Sequence, residues 1–79
     1  MALLISVAPS GDGWAIHSDD LPEELIFQTG GRAEIAARAL AHREAEEGRA
    51  AEVRIYLRDG ALGGVLSYPS RAAALSAST

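Results

Sequence analysis

The chain has 79 residues, 48% apolar and 23% charged, with a net charge of −4, the size and balance of one globular domain with a small core. It has no cysteine and all seven of its basic residues are arginine, which excludes disulfides, thiolate chemistry, cysteine zinc sites and a lysine nucleophile. The acidic balance opposes general attraction to nucleic acid or anionic lipid. No apolar run approaches the ~18 residues of a membrane span, and the apolar stretch 3–8 lacks the length and basic lead-in of a signal peptide, so the cytoplasm is the expected location.

Residues 3–8 alternate, with Leu3, Ile5 and Val7 against Leu4, Ser6 and Ala8, which predicts a first strand. Pro9-Ser10-Gly11-Asp12-Gly13 reads as a turn, and residues 14–17 return as a second strand. Pairing Val7 with Trp14 sets Ile5 opposite Ile16 on one face and Leu4 against His17 on the other. An acidic loop with Pro22 follows over residues 18–24, and residues 25–28 give a short third strand with Ile26 facing away from Leu25 and Phe27.

Residues 31–47 predict the single long helix, ~25 Å at ~1.5 Å per residue. It is rich in alanine and arginine and free of proline. Thr29 suits the N-cap and Gly48 the left-handed stop, while Glu34 and Arg38 form a favourable i,i+4 pair. Two buried stripes are consistent with its pattern: Ile35, Ala36, Ala39 and Leu40, or Ala33, Ala36, Ala37, Leu40 and Ala41. Glu44, Glu46 and Glu47 stand where the macrodipole prefers cations. They read as a solvated last turn, with an acidic docking spot for a basic partner or cation as the sharper alternative.

Beyond Gly48, Ala51, Val53, Ile55 and Leu57 alternate with Glu52, Arg54, Tyr56 and Arg58. Asp59-Gly60 reads as a two-residue hairpin turn with both residues at positive φ. That loop pairs Leu57 with Leu62, Ile55 with Gly64 and Val53 with Leu66, and leaves Gly63 to receive the Tyr56 ring or mark a bulge. Residues 1–69 form the expected domain, and residues 70–79 a small polar tail with a short helical turn that frays. The expected fold is α+β, in the order β-β-β-α-β-β: one mostly antiparallel sheet of about five strands with a single long helix packed on one face. Its core is Trp14, Phe27, Ile5, Val7, Ile16, Val53, Ile55, Leu57, Leu62 and Leu66.

Val7-x-Pro9, Gly13-Trp14-Ala15-Ile16, Phe27-x-Thr29, Ala36-x-Arg38-x-Leu40-Ala41, Glu52-x3-Tyr56-x-Arg58-Asp59-Gly60 and Ser67-Tyr68-Pro69 follow one another in the order and spacing of a known family. Over residues 5–69 the chain resembles the small bacterial proteins of domain of unknown function 2188. Gly13-Trp14 and Arg58-Asp59-Gly60 are the most specific parts of the likeness. Ile35, one position later than the family's aliphatic residue, and the double glycine Gly30-Gly31 depart from it. The resemblance implies a compact domain of one helix and one sheet, and no activity.

His17-Ser18-Asp19-Asp20 holds residue types used in nucleophilic and metal chemistry, but neighbours in a strand point to opposite faces and a triad needs convergence from separate segments. Gly11-x-Gly13 precedes a strand and lacks the helix N-terminus of a phosphate loop, which Gly30-Gly31 with Arg32 approaches more closely. No catalytic residue, cofactor or metal is therefore expected. The face opposite the helix gathers Leu4, His17, Ile26, Arg54, Tyr56, Arg58 and Val65. It is read as the interface of a non-enzymatic protein-interaction or self-associating module, with an unidentified protein as one partner and a second copy as the favoured one, a homodimer in which Arg54 is solvated at the rim or meets an acid such as Glu52 of the other copy. The alternative is a weak nucleic-acid-binding or regulatory domain using Arg54, Tyr56 and Arg58.

Overall fold

The computed structural model describes residues 2–72. Its elements are β1 (Leu3–Ser10), β2 (Gly13–Ser18), β3 (Leu25–Phe27), α1 (Gly30–Glu46), β4 (Ala51–Tyr56) and β5 (Leu62–Tyr68). The strands form one sheet in the order β3-β2-β1-β4-β5, with α1 against one face. This is the α+β arrangement expected, but the sheet is mixed: β1 and β4, its centre, run parallel, and the other neighbours antiparallel. A parallel pair needs a crossover, and β2, β3 and α1 together supply it.

The first hairpin is tighter than a five-residue turn. Ser10 pairs with Gly13, and Gly11 carries the positive φ of +58° that the two-residue loop requires. Val7 therefore pairs with Ile16 and Ile5 with Ser18, two positions from the expected register. Because side chains alternate with period 2, the slip leaves every residue on its expected face. Pro9 is tolerated inside β1 because it lies beyond Val7, the last β1 residue paired with β4.

The second hairpin combines two departures that cancel. The Leu57 carbonyl accepts from Gly60 N–H at 2.8 Å, and Leu57 N–H donates to the Ala61 carbonyl at 2.8 Å. Gly60 alone has a positive φ, +88°, and the Asp59 carboxylate accepts from Ala61 N–H at 2.9 Å. The loop thus holds three residues, Arg58, Asp59 and Gly60, instead of two, which pairs Tyr56 with Leu62. A bulge at Gly63 restores the register, so Ile55 meets Gly64 and Val53 meets Leu66 as expected. Leu57 packs beside Gly63, where an added Cβ would lie 2.6 Å from its Cδ2. Leu62 and Leu57 leave the expected core, at 52% and 50% exposed: the bulge puts Leu62 on the Tyr56 face, and Leu57 lies past the end of β4.

Helix α1 starts one residue earlier than expected. Thr29 is extended (φ −129°, ψ 151°), and its hydroxyl accepts from Arg32 N–H at 3.2 Å. At the other end, Gly48 N–H donates to Ala45 and Arg49 N–H to Glu44, with Gly48 at φ +99°, which closes the helix as a Schellman motif. The buried stripe is Ala33, Ala37, Ala41 and Ala45. The alternative stripe is overturned: Ile35 is 70% exposed and Ala39 faces solvent. Ala36 and Leu40, common to both, are half-buried at the margin. Small side chains bring the helix close to the sheet, and the sheet supplies the bulk through Leu3, Ile5, Val7, Ile16 and Val53. Trp14, Phe27, Ile55 and Leu66 pack around that centre. The expected tail lies outside the described residues from residue 73 onward.

Candidate functional site

Strand pairing fixes what the helix leaves uncovered. Leu4, Ser6, Ala15, His17, Ile26, Glu52, Arg54, Tyr56, Leu62, Val65 and Ser67 share the open face. Ala15 is buried among its neighbours, whereas Leu4 (39%), Val65 (46%), Leu62 (52%) and Ile26 (63%) are exposed. Leu4, His17, Ile26, Arg54, Tyr56 and Val65 thus lie on one surface, as expected. Leu62 joins them, put there by the bulge at Gly63, one of the two roles expected of that glycine.

Arg54 does not wait for a second copy. Its Nε donates to the Glu52 carboxylate at 2.6 Å, two residues away on the same strand face. The hydrogen bond to Glu52 and then its charge hold the guanidinium above the usual arginine range, with a smaller contribution from Tyr56. The pair makes the open face electrically self-contained. Arg58 is not gathered with Arg54: it belongs to the β4–β5 loop, and its guanidinium carbon lies 5.5 Å from the ring centroid of Trp14, a residue of the helix-side core.

The other candidate motifs do not converge. His17 is exposed on the open face, while Ser18 is 3% exposed. The Ser18 hydroxyl accepts from Asp20 N–H and its carbonyl from Leu21 N–H, so it shapes the turn after β2. The acidic helix end is met by arginines. Arg49 Nη1 lies 2.8 Å from Asp20 and 3.8 Å from Glu44, and Arg71 lies 3.1 Å from Glu46. Among the described residues no group of three or more His, Asp or Glu side chains is placed to hold a metal ion. A cleft of about 210 Å³ opens between α1 and the turn after β2, floored by Leu3, Ile5, Leu21 and Leu40 and rimmed by Asp20, Arg43 and Glu44. No helix among the described residues is long and apolar enough to cross a membrane.

The fold and this surface define a small α+β domain with one covered and one open sheet face. Compared with family models, with curated proteins and with solved structures, the chain matches none.

Proposed function

We propose that the protein is a non-enzymatic interaction module that binds through its open sheet face, with a second copy of itself as the partner. The observation that carries this reading is the composition of that face. Leu4, Ile26, Leu62 and Val65 are exposed around Tyr56, and the only strand carboxylate and guanidinium there, Glu52 and Arg54, neutralise each other. The largest exposed apolar patch of a small monomer is often its functional surface. Tyrosine and arginine are enriched where interfaces are centred. The chain carries −4 overall, yet these strand residues add no net charge, so two copies meet here without like-charge repulsion. Kinship with domain of unknown function 2188 belongs to the same proposal, on the residues that carry the likeness.

The nucleic-acid reading depends on Arg54, Tyr56 and Arg58 acting together. Arg54 is engaged by Glu52 and Arg58 by Trp14, which leaves it without support. Light scattering at hundreds of micromolar tests the proposal. The wild type is expected above the monomer mass, and Tyr56→Glu at a lower mass with an unchanged circular dichroism spectrum. A wild-type mass equal to the monomer, or a Tyr56→Glu mass equal to the wild type, overturns it.

A further inference from the structure

The two edges of the sheet are built differently. The β3 edge is three residues long and follows a loop carrying Asp19, Asp20, Glu23 and Glu24, a charged guard against strand addition. The β5 edge runs for seven residues, LGGVLSY, without a single charge, and among the described residues β4 is its only paired strand. Among the described residues its protection is the bulge at Gly63, which leaves residues 64–68 regular up to Pro69.

We infer that β5 is a second interface, at which two copies pair edge to edge, antiparallel about a two-fold axis at Leu66, to make one continuous sheet. Charge favours a second copy as the occupant, since an uncharged edge on a chain of −4 is where two such molecules approach with least repulsion. Symmetry then restricts the register. With Leu66 opposite its own copy, Val65 meets Ser67 and Gly64 meets Tyr68 of the other chain. Gly64 has open space where a Cβ would stand, with no atom within 4 Å, so that position has room for a Tyr68 ring from across the new strand pair. Both helices fall on the same side of the joined sheet, and both open faces on the other.

This second contact also enlarges the open face. Five strands at ~4.8 Å spacing and roughly six residues at ~3.3 Å give roughly 24 by 20 Å in plan, about 480 Å². Edge pairing doubles the plan area to about 960 Å².

Cysteine cross-linking is a clean test because the chain has no cysteine of its own. A directly opposed antiparallel pair sets Cα atoms ~4.5–5.5 Å apart, inside disulfide range. The Leu66→Cys variant, in a Tyr56→Glu background that removes the face contact, is expected to form a disulfide-linked dimer under mild oxidation. Ala39→Cys, on the exposed side of α1, is the collision control and is expected to stay monomeric. Should Leu66→Cys fail to fold, a mixture of the Val65→Cys and Ser67→Cys chains tests the same register at two exposed positions. Gly64→Lys adds a charged side chain to the open space without backbone strain and is expected to reduce cross-linking at least tenfold. Cross-linking no greater than the Ala39→Cys control, or undiminished by Gly64→Lys, overturns the edge interface. Loss of the face contact alone leaves these readouts unchanged.

Discussion

The guanidinium of Arg58 stands 5.5 Å from the Trp14 ring centroid and ties the β4–β5 loop to β2 across the end of the sheet. The helix start meets the same ring, since a Cβ at Gly30 would come within 3.0 Å of it. Gly13-Trp14 and Arg58-Asp59-Gly60, distant in sequence, are thus neighbours in space. Arg58→Ala is expected to lower stability by about 0.5–1 kcal/mol and to shift the emission of the only tryptophan. Identical emission spectra for the two proteins would show that the contact is not populated in solution.

The alanine stripe of α1 leaves no room for larger side chains. Ala37→Leu is expected to cost about 1–3 kcal/mol by overpacking against the sheet. That is a large share of the roughly 4–12 kcal/mol a chain of this length commands. Ile35→Ala, at a position 70% exposed, is expected to change stability by less than about 0.5 kcal/mol. Urea titration of both variants checks the helix orientation, and the reverse ranking would place Ile35 in the core.

Two glycines pose a graded test of close approach. A Cβ at Gly13 would lie 2.5 Å from the Phe27 carbonyl oxygen, a backbone atom held in the β2–β3 pair. A Cβ at Gly63 would crowd the Leu57 side chain at 2.6 Å, but that side chain is half exposed and able to move. Gly13→Ala is therefore expected to lower the thermal midpoint clearly more than Gly63→Ala, and equal midpoints would contradict the β2–β3 geometry.

No nucleic-acid complex tighter than ~10 μM is expected at physiological salt, given the net charge of −4 and the engagement of Arg54 and Arg58. Fluorescence anisotropy with labelled single-stranded RNA and DNA measures it, and a submicromolar, salt-sensitive complex would reverse the ranking of functions. Raising pH does not change this expectation. Glu52 holds the Arg54 pKa up, so its stabilising charge is fully present below the ordinary arginine range and is lost only above it.

Strand faces were legible in the sequence because alternation encodes them independently of loop length. Val7 and Ile16 lie inward whether Val7 pairs with Trp14 or with Ile16, since the two registers differ by two positions, an even number. Loop length was less legible. Asp59-Gly60 satisfies a two-residue turn and equally the second half of a three-residue one, and only the bulge at Gly63 reconciles the latter with the inward Ile55 and Val53. The helix orientation was ambiguous because alanine occurs on both stripes, so hydropathy could not rank Ile35 below Ala37. The open face was legible residue by residue except for Arg58, which the hairpin loop turns toward Trp14, and Leu62, which the bulge delivers.

The parallel pairing of β1 with β4 also sets an order of events for the folding chain. The pairings of β1 with β2 and of β4 with β5 are local, each joined by a short hairpin loop. Leu3, however, finds Ala51 only after the third strand and the whole helix have been made. Non-local closure of this kind is slow, because its loop entropy is lost before its contacts form. The pairing of β4 with β1 is therefore expected to be the late step of folding, the one that joins the two halves into one molecule.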